Sequence, residues 1–243
     1  MCLYKKAYPC IIIHLKQDAM KNKRTYYHLI LDRSGSMSGL IEQTVEGVNQ
    51  QIRRIREIGE RLPEQELITS LTLFNHRISK TWNYIRSGQL RELTYADFRP
   101  DGNTALYDAI GVTINDVQQA VGSEIENDEA SVVVVIITDG YENASANFTH
   151  DQVASMIGGL EQSGKWTFSY LGATLDAVDI AQSLNINKNN AMHYNVSEIS
   201  DLYHKLGNSI EFYLYNKQSD KIRKSFLEPE KVDENESDQY LKL

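Results

Sequence analysis

Asp32, Ser34 and Ser36 stand at alternate positions, with Gly35 between the two hydroxyls, directly after the apolar run Leu29-Ile30-Leu31. One carboxylate and two hydroxyls on a tight turn are hard oxygen donors. Mg²⁺ and similar cations take oxygen ligands and keep several waters, so this spacing reads as part of a metal site. Two more oxygens occur in comparable settings. Thr104 follows the turn signal Pro100-Asp101-Gly102-Asn103. Asp139 lies in Thr138-Asp139-Gly140, directly after six β-branched residues, Val132–Ile137. Asp32 and Asp139 together balance one divalent ion, while Ser34, Ser36 and Thr104 add donors without adding charge. Each residue also has an ordinary structural use. The serines and Thr104 suit turns and helix N-caps, and Asp139-Gly140 suits a plain turn. Asp108, one helical turn after Thr104, suits either an outer support of the site or helix solvation. Asn143 suits a loop hydrogen bond better than ligation.

For these side chains to meet, three strand ends or loops must lie side by side at one edge of a sheet, where open α/β folds place their ligands. The apolar pattern supplies such a sheet. Thr25–Asp32 reads as a first strand. Ile41, Val45, Val48, Ile52 and Ile55 then step by four and three, one face of a helix. Leu67–Asn75 reads as a second strand, and the alternation from Ile78 to Tyr84 as a third that returns as an antiparallel edge hairpin. Leu106, Ile110, Ile114, Val117 and Val121 mark the next helix, with an acidic turn over Gly122–Glu129. Val132–Ile137 has the continuous apolar character of a strand buried on both faces. A helix around Val153–Leu160, a strand Trp166–Leu171, a short helix at Ala177–Leu184, a weak strand Ala191–Val196 and a last helix from Ile199 to Tyr215 complete the chain. Strands alternating with helices make one doubly wound α/β domain: a mostly parallel six-stranded sheet with one antiparallel edge strand and helices on both faces.

Composition narrows the function. A net charge of −8 argues against nucleic acid, because phosphate binding needs clustered Lys and Arg. No apolar run approaches the roughly 18 residues of a membrane span. The two cysteines, Cys2 and Cys10, make no disulfide framework and fit a reducing compartment. Residues 1–19 read as an N-terminal extension ahead of Met20, residues 20–217 as the folded domain, and residues 218–243 as an acidic, disordered tail. There is no P-loop lysine motif and no dinucleotide-binding glycine fingerprint. Gly35 to Gly39 misses the hydrolase elbow, since Met37 stands at the nucleophile position.

Asp32-Arg33-Ser34-Gly35-Ser36, then Gly102-Asn103-Thr104, then Thr138-Asp139-Gly140 resemble, in order and context, the motifs of a von Willebrand factor type A (VWA) domain. The resemblance covers roughly residues 25 to 217 and extends to stand-alone bacterial intracellular VWA proteins. It implies a metal-ion-dependent adhesion site filled by Mg²⁺ or Mn²⁺. Ser34, Ser36 and Thr104 would supply hydroxyls, and Asp32 and Asp139 would bind directly or through water. It further implies a cytoplasmic, non-enzymatic protein-binding domain whose partner offers an Asp or Glu to the metal. Such partners include AAA+ ATPases and products of stress or tellurium-resistance operons. Two other readings compete: a structural metal site with partners bound elsewhere, and a Mg²⁺-dependent phosphoryl-transfer enzyme using Asp32. Ser34 stands against the second, since it occupies the place of that enzyme's second carboxylate.

Overall fold

The computed structural model describes residues 24–218 and 225–227. Cys2, Cys10, the expected extension and most of the expected tail lie outside the described residues. The elements in chain order are β1 (Arg24–Asp32), α1 (Ile41–Arg61), β2 (Glu66–Phe74), β3 (Ile78–Arg86), α2 (Leu106–Glu126), β4 (Ala130–Thr138), α3 (His150–Gln162), β5 (Trp166–Gly172), α4 (Ala177–Ser183), β6 (Ala191–His193) and α5 (Ile199–Gln218). They build one six-stranded sheet in the order β3-β2-β1-β4-β5-β6. β3 pairs antiparallel with β2, and the other pairings are parallel. The doubly wound sheet with one antiparallel edge is therefore the observed architecture.

Alternation along each strand divides the core in two. Tyr27, Leu29 and Leu31 of β1 join Val133, Val135 and Ile137 of β4 beneath α1 and α5. Tyr26, Ile30, Val132, Val134 and Ile136 face the other way, beneath α2, α3 and α4. The helices bury the stripes their spacing marks: Val45, Val48, Ile52 and Ile55 on α1, and Leu106, Ile110, Ile114 and Val117 on α2. Lys217, near the end of α5, ties that helix to the sheet. Its ammonium donates to the Arg24 carbonyl and the Thr25 hydroxyl, both at 2.7 Å, and to the Ser131 hydroxyl at 2.9 Å.

Three expectations are corrected. α2 continues through Gly122 to Glu126 instead of ending in an acidic turn. Ile125 extends the four-residue step from Val121 and is buried, and that burial outweighs the turn-like composition. β6 is only three residues long, because it pairs solely with the Tyr170–Gly172 end of β5. Within the segment expected to be a disordered tail, Phe226 and Leu227 are buried in the core beside Tyr27 and Tyr213. The Phe226 amide donates to Asn190 Oδ1 at 2.6 Å. Two adjacent apolar side chains dock there despite the charged residues on either side. No described helix is long and apolar enough to cross a membrane.

The α1–α5 face holds an untidy polar spot. The Tyr203 hydroxyl and Gln51 Oε1 are buried and have no hydrogen-bond partner among the described residues. Tyr203→Phe keeps the ring and removes the stranded hydroxyl. The variant is expected to match wild-type stability or exceed it by up to about 1 kcal/mol in urea unfolding. A loss of that size would show that the hydroxyl is satisfied by buried water.

Candidate metal site

β1 and β4 are neighbours in register, with Leu31 opposite Ile137. That pairing sets Asp32 beside Thr138, whose hydroxyl donates to Asp32 Oδ2 at 2.6 Å. The other carboxylate oxygen accepts the Ser34 amide at 2.6 Å. Residues Gly35–Leu40 then turn in a 3₁₀ helix before α1 begins, with Met37 and Leu40 buried as its anchors. Neither serine caps a helix with its side chain. Instead Ser34 Oγ lies 3.0 Å from Ser36 Oγ, and Ser36 Oγ donates to Asp139 Oδ1 at 2.7 Å. Asp32, Ser34, Ser36 and Asp139 thus form one connected group, assembled from the carboxyl ends of β1 and β4.

Thr104 enters from the loop before α2. It does not open that helix, which starts at Leu106. Its side chain joins the group across Gly140: a Cβ placed there would lie 3.6 Å from Thr104 Oγ1 and 3.7 Å from Ser36 Oγ. The Thr104 amide donates to Asn143 Oδ1 at 2.9 Å, and its carbonyl accepts from the Asn143 and Ala144 amides. The Gly102 carbonyl accepts the Gly35 amide at 2.9 Å, and the Asp101 amide donates to the Arg33 carbonyl at 3.0 Å. Gly102 sits at φ +65, and a Cβ there would fall 2.1 Å from His76 Nδ1. The positive φ favours glycine, and any side chain there would also have to displace the exposed His76 ring. All five candidate side chains are therefore brought to one edge of the sheet.

Asn75 is a supporting residue that spacing did not reveal. Buried at the end of β2, it donates through Nδ2 to the Asp101 carbonyl at 2.9 Å. Its backbone carbonyl accepts the Ala105 amide at 2.8 Å, so it clamps the Thr104 loop from both sides. The one available signal was a polar amide directly after an apolar strand. Asn143 is the loop hydrogen-bonder its position suggested. Asp108 has no role facing the group: its carboxylate accepts from the amides of Ala146, Asn147 and Phe148 and from Asn147 Nδ2. Burial works against its charge, yet these bonds hold it below the usual carboxylate range. Glu142 accepts the Tyr107 amide at 3.0 Å and the Ser145 amide at 2.7 Å, at the positive end of α2.

The electrostatics suit a cation. Burial pushes the Asp32 carboxyl above its ordinary range, against the bonds from Thr138 and Ser34, and the charge of Asp139 pushes the same way. Burial also raises Asp139, against its bond from Ser36. Among the described residues neither carboxylate is paired with Lys or Arg. Two anionic groups held together without a positive partner are costly unless protonated or neutralised by an ion. No three His, Cys, Asp or Glu side chains gather as a metal site among the described residues, so hydroxyls must complete any donor set here. Asp32, Ser34, Ser36, Thr104 and Asp139 fit Mg²⁺ or Mn²⁺ in donor type and charge.

No protein-family model matches the sequence, and no curated protein does. Solved structures do match. The vWF domain of the type V pili tip protein Mfa5 from Porphyromonas gingivalis superposes with a TM-score of 0.55 at 8% identity, over 79% of this chain and 96% of that one. This is a von Willebrand factor A fold. Manganese-loaded TRAP protein from Plasmodium vivax shares the VWA fold with a TM-score of 0.50 at 15% identity, over 75% of this chain and 72% of that one. Proximal thread matrix protein 1 from the mussel byssus, with its MIDAS motif occupied by zinc, aligns with a TM-score of 0.50 at 13% identity, over 80% and 46%. The chain spans less than half the length of the mussel protein and of other long chains it matches, such as the ArnB paralog VWA2 from Sulfolobus acidocaldarius. At these identities the likeness is one of fold.

Proposed function

We propose that this VWA domain binds a partner protein through a divalent ion held by Asp32, Ser34, Ser36, Thr104 and Asp139. The supporting observation is the group itself: two carboxylates without a cationic partner, linked to hydroxyls at the open edge of the sheet. When bound, Mg²⁺ or Mn²⁺ supplies a positive centre that attracts an Asp or Glu of the partner. The chain's own residues decide how that centre is presented. Thr138 and the Ser34 amide orient the fully buried Asp32. Ser36 is exposed and Asp139 half-buried, so approach is from their side. Three neutral hydroxyls among the five donors would leave the ion open to a carboxylate from the partner, and that contact would strengthen where the partner excludes water. Metal in the MIDAS-type VWA relatives supports a divalent ion, and Mg²⁺ is the form we favour. The sequence resemblance alone extends the proposal to a cytoplasmic setting, a non-enzymatic role and a partner among AAA+ ATPases or stress-operon proteins.

A ligand that binds only the native state stabilises it. Mn²⁺ at about 100 times its dissociation constant is expected to add about 2.7 kcal/mol, which raises the thermal midpoint of a domain this size by roughly 5–10 °C. Asp139→Ala and the pair Ser34→Ala with Ser36→Ala are each expected to abolish the rise. A metal-induced rise that survives both variants would place the ion elsewhere.

A further inference from the structure

Among the described residues four large hydrophobic side chains are exposed: Tyr95 at 60%, Tyr141 at 57%, Leu175 at 92% and Val196 at 40%. Single exposed apolar residues are ordinary. Three of these four are not independently placed. Tyr141, Leu175 and Val196 follow the carboxyl ends of β4, β5 and β6, which are consecutive strands of the sheet. Neighbouring strands lie about 4.8 Å apart, so the three loops form a row along one edge. The row starts two residues after Asp139.

The row is held in place. The Tyr141 hydroxyl donates to Asp176 Oδ1 at 3.1 Å, which ties its ring to the loop carrying Leu175. The Ala173 amide donates to the Thr138 carbonyl at 3.1 Å. Tyr194 draws the loop after β6 inward, its amide donating to the Gly172 carbonyl at 3.0 Å and its hydroxyl to the Thr138 carbonyl at 3.3 Å. Val196 rides on that loop. A leucine left 92% exposed on such an anchored loop has no use in the core.

We propose that Tyr141, Leu175 and Val196 form the specificity surface of the metal site, taking a large apolar side chain from the same partner segment that offers Asp or Glu to the ion. The inference rests on the metal-dependent reading above. Charge fixes the chemistry of the second contact. The Asp176 carboxylate stands beside Leu175 and repels a second acidic side chain there, while Tyr141 and Leu175 offer apolar surface to Leu, Phe, Tyr or Trp. The recognised segment is thus acidic at one position and apolar close by.

The test uses the Mn²⁺-loaded protein and displayed short random peptides, eluted with EDTA. The recovered peptides are expected to carry Asp or Glu with a large apolar residue a few positions away. One such peptide is then measured on Leu175→Ser, whose exposed position leaves folding intact, checked by an unchanged thermal midpoint. Affinity is expected to fall about tenfold, which is 1.4 kcal/mol. The peptide with its apolar residue changed to Ala should lose a similar factor on wild type and little more on Leu175→Ser. EDTA-eluted acidic peptides with no apolar preference, or affinities indifferent to Leu175→Ser, overturn the specificity surface and leave the metal reading standing. Failure of EDTA to release any peptide beyond what an Asp139→Ala control yields, or released peptides whose binding is indifferent to amide replacement of their acids, overturns the metal reading, and this inference with it.

Discussion

Acidification to pH 4 is expected to cost the protein roughly 3 kcal/mol through one side chain, His28. His28 lies in the middle of β1, buried on the face that packs against α2. Its ring meets Tyr84 edge-on at 5.5 Å, and Nε2 has no hydrogen-bond partner among the described residues. Burial, with the Lys80 charge adding to it, pushes its pKa down from 6.5 to about 3. Lys80 is itself paired with Asp116, and among the described residues no carboxylate offsets its effect on His28. The sign follows from linkage. As pH falls below 6.5 the unfolded chain takes up the proton and the native one does not. The contribution of neutral His28 is complete above that value and is lost progressively toward about 3. The slope is about 1.4 kcal/mol per pH unit. His28→Phe keeps a ring against Tyr84 and removes the titration. The measurement is the difference in unfolding free energy between wild type and variant from pH 7 to pH 4. Subtraction cancels every other group, including Asp32 and Asp139, whose raised values act in the opposite direction. Parallel curves would show that His28 is hydrated or protonated in the native state.

Gly47→Val should cost about 3 kcal/mol or more, beyond the usual penalty for overpacking a core. Gly47 is buried in the second turn of α1, where α5 crosses it. A Cβ there would stand 2.0 Å from Tyr203 Cδ2 and 2.4 Å from Cε2. The ring has nowhere to go, being 1% exposed. Alanine measures the balance of two effects. It gains about 1 kcal/mol over glycine as a helix former, against an overpacking penalty of about 1–3 kcal/mol. Gly47→Ala is therefore expected to be destabilising by about 1 kcal/mol, and Gly47→Val by much more because it branches at the point of contact. Tyr203→Leu should rescue most of the alanine penalty, giving a coupling of about 1 kcal/mol or more between the two positions. Additive effects of the two substitutions would mean that α5 yields without cost. Because α1 follows directly on the turn bearing Ser34 and Ser36, the valine variant is also expected to weaken metal stabilisation.

The two predictions draw on features that were hidden in the sequence for different reasons. His28 alternates with Tyr26 and Ile30, so its burial followed from the strand, but its missing partner did not. Gly47 lies between Val45 and Val48, and nothing in the local pattern marks it. Its reason is a ring 156 positions later in the chain, beyond the reach of any local pattern. Asn75 is similar: its bonds to Asp101 and Ala105 exist only once β2 and the Thr104 loop are neighbours. Phe226 and Leu227 were masked by the charged residues around them, although burial depends on the two side chains that dock and not on the average of the segment.

By itself the sequence determined the order of strands and helices, the face each helix buries, and the five oxygen-bearing side chains at strand ends and loops. These are local matters of periodicity, turn chemistry and residue type, written into short stretches of chain. Only the tertiary structure decided that Ser36 reaches Asp139, that Thr104 is gripped by Asn143 instead of capping its helix, and that Asp108 turns away to the 146–148 loop. It alone set Tyr141, Leu175 and Val196 in a row beside Asp139. Contacts between residues far apart in the chain depend on strand order and register, and those are settled by burial of the whole sheet between its two helical layers.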